Sequence, residues 1–332
     1  MASGFTLVLT IALAVLGVLL LAVLWEGAQI LFARVPAYPK TVLVMPHGET
    51  PASSPKAIPK LIWAYWHETP PPDFIARCQA NWQRFAPDHE VRLLHQGNIH
   101  DWVDTQAFED RLQKLPHYRQ ADWLRLQLLA QHGGFWIDAS ALLCESLDWA
   151  HQLQQQSQAE FVGFYIDRFT TRPEQPIVEN WFMAAPAGSA FVHDLAEEFG
   201  HALSIGEEAY LQALQAQGKL QRVAQGLGPK DQAYLIMHMA AAVLLDEPKA
   251  SYRLALLRAE DSALGFHSAL RWRKRHLNAR LALSPCPKRL PVLIKLRGGD
   301  RRVVEQGWKL GRVYRGSALA RLLGMPNQNN RG

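Results

Sequence analysis

Cysteine is scarce in this chain of 332 residues: there are three, Cys78, Cys144 and Cys286, with no close pair among them. That usage excludes a disulfide framework and offers no zinc-ligand spacing, and it suits a reducing compartment. Charge is absent from Met1 to Trp25. No Lys or Arg precedes the apolar run, so the basic start of a secretory signal peptide is missing, and no small-x-small cleavage site follows. Internal repeats are absent, which excludes a solenoid or propeller. Acids nearly vanish at the other end. Residues 271–331 hold 16 Lys plus Arg against two acids, Asp300 and Glu305, out of 35 and 30 in the whole chain.

Phe5 to Trp25 is almost wholly Leu, Val, Ala and Ile. At about 1.5 Å per residue such a run covers roughly 30 Å, one bilayer core. Residues 1–34 therefore read as a transmembrane anchor and its flank, with a cleaved signal peptide as the alternative. Arg34, Lys40, Lys56 and Lys60 follow the span. The positive-inside rule then puts the rest of the chain in the cytoplasm, as in a single-pass protein of a bacterial inner membrane. Residues 35–57, with Pro36, Pro39, Pro46, Pro51 and Pro55, read as an extended linker, since proline blocks helix and sheet ladders. The basic region 271–332 reads as a contact for anionic membrane lipids. A lipid-linked diphosphate is a second partner, and a solvated basic face is the plainer reading. Nucleic acid is disfavoured, because no recognised binding module is present.

Residues 58–270 alternate strands with helices. Strands are expected at Leu61–Tyr65, Glu90–His95, Phe135–Ile137, Glu160–Tyr165 and Asn180–Ala185. Helices are expected at Phe74–Phe85, Ile99–Leu115, Ser189–Leu203, Glu207–Gln217 and Asp231–Leu245. That order indicates an α/β fold with a mainly parallel sheet. The polar stretch Asp167–Glu179 reads as a loop facing an acceptor.

The stretch from His117 to Ser140 organises the rest. Ala121, Leu124, Leu128 and Leu129 recur at helical spacing and predict a helix with one apolar face. Gly133-Gly134 ends it, because glycine takes a left-handed cap without steric cost. A short buried strand then delivers Asp138 at its carboxyl end, where ligands bind in open α/β sheets. Asp122 and Arg125 lie three residues apart on one side of the helix. Ser140 points with Asp138 if the chain stays extended. Arg119 reads as a surface residue.

This string, Ala121-Asp122-Trp123-Leu124-Arg125 followed by Gly133-Gly134-Phe135-Trp136-Ile137-Asp138-Ala139-Ser140, resembles glycosyltransferases with a DXD sugar-binding motif. The nearest branch is the capsular polysaccharide synthesis proteins. Yeast-type Golgi α-mannosyltransferases and clostridial glucosylating toxins are more distant. The opening Ile58-Pro59-Lys60-Leu61-Ile62-Trp63 and the later Asn180-Trp181-Phe182-Met183-Ala184-Ala185 fit the same pattern.

The resemblance implies a nucleotide-sugar-binding fold of the GT-A type and a retaining transferase. It implies transfer of a hexose or N-acetylhexosamine from a UDP- or GDP-sugar to a glycan or polyprenyl-linked acceptor, in surface polysaccharide synthesis. Asp122 and Arg125 would hold the donor's sugar and phosphate, as carboxylate and guanidinium chemistry allows. Trp63 would pack on the nucleotide base, or else is a plain core residue. Asp138 would ligate Mn²⁺ or Mg²⁺, which offsets charge on the leaving diphosphate. Ser140 stands where the second Asp is usual, and it is a weaker, uncharged ligand. His267 is a distant candidate for a further ligand; a hydrogen-bonded structural histidine is the alternative. The competing reading is a non-catalytic sugar-nucleotide-binding or scaffolding subunit.

Overall fold

The computed structural model describes residues 2–45, 55–105, 113–248 and 251–325. The chain forms two compact units: residues 36–264 with 290–296, and residues 1–35 with 265–289 and 297–332.

The first unit is built on a seven-stranded sheet. Its strands are β1 (Thr41–Val44), β2 (Leu61–Tyr65), β3 (Glu90–Leu94), β4 (Gly134–Ile137), β6 (Phe161–Tyr165), β7 (Val178–Ala185) and β8 (Leu254–Arg258), in the spatial order β1-β8-β6-β7-β4-β2-β3. β5 (Leu142–Leu143) and β9 (Leu293–Ile294) form a separate antiparallel pair. Five expected strands are present. The expectation of a mainly parallel sheet fails. β2 runs parallel to β3 and β4, and β6 to β8, but β7 is antiparallel to both β4 and β6, and β1 to β8. The short return from Tyr165 to Val178 contains no crossover helix, so β7 can pair with β6 only by reversing direction.

The Pro-rich linker is also not wholly unpaired. Thr41–Val44 carries no proline and docks on β8, with Thr41 opposite Leu257 and Val44 opposite Leu254. Only edge pairing is open to it, since prolines flank it on both sides. Of the expected helix over Ile99–Leu115, the described residues show one 3₁₀ turn at Ile99–Asp101; residues 106–112 lie outside the described residues. The helix expected over Asp231–Leu245 breaks at Leu235 into Pro229–Tyr234 and Ile236–Asp246.

Helices α1 (Ala2–Phe32), α2 (Asp73–Phe85), α3 (His117–His132) and α5 (Ala190–Ile205) otherwise follow the sequence pattern, and α4 (Asp148–Ser157) is a helix the sequence reading did not expect. Within the sheet unit α2 buries Phe74, Cys78 and Trp82, and the Trp82 indole N–H donates to Ala141 O at 2.9 Å. Asn81 beside it is buried and grips a strand backbone. Its Nδ2 donates to Leu143 O at 3.0 Å, and its Oδ1 accepts from Leu143 N at 2.8 Å. This amide takes the place of a missing neighbour for β5. Asn81→Ala leaves a buried N–H and C=O unpaired, so it is expected to cost about 2–4 kcal/mol. Urea unfolding of the purified protein checks this; a midpoint equal to that of the parent would refute the role.

The second unit contains α1, whose stretch Thr6–Phe32 has mean hydropathy 3.1 over its most apolar window and is not buried. It is long and apolar enough to cross a membrane; an N-terminal signal sequence meets the same criterion. The basic carboxyl-terminal region packs within this unit against the end of α1. Arg273 Nη1 donates to Glu26 at 2.9 Å, and the buried Arg280 donates to Ala33 O at 3.2 Å.

Candidate active site

α3 ends as its glycines predict. Gly133 takes φ +65°, and its N–H donates to Leu129 O at 3.0 Å. The expectation of a single apolar face does not hold, because Arg119, Gln120, Asp122 and Arg125 are all buried along with the leucines. A helix covered on nearly every side must pair its charges internally, since an unpaired buried charge is too costly to keep.

The result is one continuous network. Asp122 accepts from Arg119 Nη1 at 3.0 Å, from Asn180 Nδ2 at 3.1 Å, and lies 3.2 Å from Arg125 Nη2. Arg125 donates through Nη1 to Asn180 O at 2.6 Å and through Nη2 to Asp138 Oδ1 at 3.3 Å. Its guanidinium lies 4.9 Å from the centre of the Trp136 ring. Asp138 Oδ1 also accepts from Trp136 Nε1 at 3.1 Å, while Oδ2 accepts from the ammonium of Lys295. The carboxyl end of β4 thus gathers Asp122, Arg125 and Asp138, as expected from the sequence.

Burial works to raise the Asp138 carboxyl, but the charges of Lys295 and Arg125 outweigh it and hold the group below its ordinary value. Asp138 keeps its negative charge through the physiological range.

Four residues of this network escape the sequence reading. Arg119 is not a surface residue: it is 2% exposed, and it donates to Glu207 and to Ala233 O, both at 2.6 Å. Asn180 and Trp136 are the second and third. Lys295 is the fourth, brought in from 157 positions away because β9 pairs with β5 beside the Asp138 turn. One local signal marks it. It is a lone cation in the apolar run Val292-Leu293-Ile294-Lys295-Leu296, and a buried lysine needs a partner.

Three expected site residues sit elsewhere in the chemistry. Trp63 is fully buried; its indole N–H donates to Gly133 O at 2.9 Å, and its ring packs on Trp102 and His132. It occupies the core, which is the plainer of its two readings. Ser140 does not project alongside Asp138. The chain turns there, with Ala141 N donating to Asp138 O at 2.8 Å, and the Ser140 hydroxyl points to Leu296 O at 3.4 Å. His267 belongs to the other unit, where its Nε2 faces the buried Asp300 at 3.1 Å and Arg297 holds the same carboxylate at 2.6 Å.

The expected metal-ligand set Asp138, Ser140 and His267 therefore does not fit a divalent ion. Both oxygens of Asp138 carry donors from cations, the Ser140 hydroxyl is turned onto a carbonyl, and His267 Nε2 is committed to Asp300. Magnesium and manganese need open oxygen ligands.

Two exposed rings lie beside the network. Tyr118 and Tyr234 are 48% and 61% exposed, with centroids 5.6 Å apart, and Tyr118 lies under the Arg119 guanidinium. The polar loop after β6 is hydrogen-bonded to the helices beside it. Gln225 accepts from Thr171 N and Arg172 N and donates to Gln175 O, and Arg172 donates to Asp246 at 2.9 Å.

Comparison with known proteins follows the same residues. Residues 45–201 match the sequence profile of the capsular polysaccharide synthesis protein family. The O-glycosyltransferase braB of Annulohypoxylon truncatum is 32% identical over 157 residues, covering 42% of this chain and 37% of its own length. The glycosyltransferase afumC of Aspergillus fumigatus is 28% identical over 148 residues, covering 40% and 37%. The chain thus spans little more than a third of the length of these curated relatives. A solved structure, the PaToxG glycosyltransferase, aligns with 65% of this chain and 86% of its own at 13% identity and a TM-score of 0.35, too slight a likeness to assign a fold. Over residues 45–201, the stretch that contains Asp122, Arg125 and Asp138, the chain is similar to the capsular polysaccharide synthesis proteins and, over about two fifths of its length, to fungal glycosyltransferases.

Proposed function

We propose that this protein is a glycosyltransferase of GT-A type that takes a UDP- or GDP-activated hexose or N-acetylhexosamine as donor. The observation that carries the reading is the Asp122–Arg125–Asp138 network at the carboxyl end of β4, inside the stretch shared with the family. Carboxylates accept from sugar hydroxyls, and a guanidinium binds phosphate in a fork. The donor's anomeric carbon–oxygen bond breaks with its electron pair passing to the diphosphate. The acceptor hydroxyl oxygen bonds to that carbon, and its proton passes to the departing phosphate oxygen. The carboxylate and guanidinium groups of the network are already oriented by one another, so little reorganisation is needed when that charge develops.

The relative braB carries the name O-glycosyltransferase, which favours a hydroxyl acceptor. A glycan or polyprenyl-linked acceptor in surface polysaccharide synthesis fits the family's description, although the curated relatives are fungal. The exposed pair Tyr118 and Tyr234 is the aromatic surface offered to a sugar or base ring in place of the buried Trp63. The apolar α1 supports a single-pass anchor, and Arg34, Lys40, Lys56 and Lys60 after it favour the cytoplasmic side for the rest of the chain. The cluster of Arg273, Lys274 and Arg275 near its end supports contact with anionic lipids.

The detergent-solubilised full chain, incubated with a panel of UDP- and GDP-sugars, tests this. Slow hydrolysis of one donor is expected, and it names the sugar. Well-folded protein that binds no donor would sink the transferase and promote the scaffolding subunit.

A further inference from the structure

Asp138, Ser140 and His267 do not offer a divalent ion the open oxygen ligands it needs, yet the leaving diphosphate still needs positive charge. Lys295 is the residue that fills the gap. Lys295 lies against Asp138, 8% exposed, at the position directly after β9. An ammonium carries three N–H donors. Among the described residues Asp138 is the one hydrogen-bond acceptor it reaches, so two donors are left to point at a ligand. The Trp181 ring, 6.0 Å away, is the apolar neighbour that leaves them without a protein acceptor. The Leu296 carbonyl, next in the chain, takes the Ser140 hydroxyl. One loop thereby withdraws the expected ligand and delivers a cation in its stead.

We propose that Lys295, together with Arg125, supplies the charge on which the donor's diphosphate departs, so that the protein works without a divalent ion. This rests on the transferase reading. In the free protein Asp138 holds the ammonium in position. When donor binds, the remaining N–H donors bridge to the phosphate oxygens, and they strengthen as the anomeric carbon–oxygen bond breaks and its electron pair moves onto the diphosphate. The ammonium keeps its protons throughout. Lysine suits the task because it is a compact point charge on a flexible stem and can bridge two anions.

The full chain, stripped with EDTA, is the sample. Wild type is expected to bind UDP or GDP in calorimetry and to hydrolyse its donor at rates within about twofold with EDTA, Mn²⁺ or Mg²⁺ present. Loss of one group that stabilises developing charge costs about 100-fold, so Lys295→Met should lower kcat by that factor. It should also weaken nucleoside diphosphate binding about tenfold, the loss of one charge-assisted contact. Lys295→Arg keeps the charge and should retain turnover well above Lys295→Met; it serves also if the methionine variant fails to fold. Stimulation of wild type beyond about tenfold by Mn²⁺ or Mg²⁺ would overturn this inference and leave the transferase standing. So would a folded Lys295→Met with unchanged nucleotide affinity. Absence of donor binding under every condition would remove the transferase reading, and this inference with it.

Discussion

Asp138→Asn is expected to lower donor turnover about 1,000-fold while the protein still folds, the upper end of what one preorganised polar group contributes. The size follows from the position. Asp138 is the single acceptor shared by Arg125, Trp136 and Lys295. An amide of the same shape keeps one oxygen and presents an NH₂ group toward a cation. It loses the charge that anchors Lys295 and one of the contacts that orient Arg125, so the two phosphate-binding groups lose their common alignment. Single-turnover hydrolysis of the donor identified for wild type is the measurement, with circular dichroism as the folding control. A loss of less than about tenfold would show that the network is structural.

The pH dependence has a definite sign. The Asp138 carboxyl is held below its ordinary value of 3.8: burial opposes this, and the neighbouring Lys295 and Arg125 charges prevail. A carboxylate depressed in the folded state contributes stability that is fully present above its unfolded value and is lost as pH falls through the lower folded value. Between neutral pH and the ordinary carboxylate range, Asp138 therefore imposes no loss on turnover. A rate that collapses with a single ionisation near pH 6 has to come from another group.

Gly134→Ala is expected to destabilise the sheet unit by about 3–5 kcal/mol, well beyond the ordinary range for a single added methyl. Two effects coincide. Gly134 has φ +100°, which L-residues rarely adopt, and a Cβ built there lies 2.5 Å from the Leu61 carbonyl oxygen. That oxygen belongs to β2, whose parallel pairing with β4 sets Ile62 opposite Phe135. Relief would require prising the two strands apart at the end opposite Asp138. Gly188→Ala separates the contributions: φ is +76°, but nothing lies within 4 Å of its added Cβ. It should cost about 1 kcal/mol, the backbone strain alone. Urea midpoints of the two variants decide it. If Gly134→Ala unfolds with Gly188→Ala, the close approach of Leu61 carries no weight.

Much was legible without coordinates, because local chemistry determines it. Helix α3 and its stop follow from leucine spacing and from Gly133, whose φ of +65° disfavours any residue with a Cβ. Strand β4 and the delivery of Asp138 at its end follow from a short apolar run after that stop. Asp122 and Arg125 meet because three residues on a helix return to the same side.

What sequence alone could not decide is what non-local pairing decides. The direction of β7 and the docking of β1 on β8 depend on which edge is free when the chain arrives. The turn after Asp138 sends Ser140 to Leu296 instead of toward a ligand, and no spacing rule foresees it. Trp63 takes the core reading of the two the sequence left open, while Arg119, expected at the surface, lies in the buried network, because burial is set by what packs above a residue. Lys295 marks the limit most sharply. Its charge in an apolar run is visible in the sequence, but its partner is 157 residues away, and only the β5–β9 pair brings the two together.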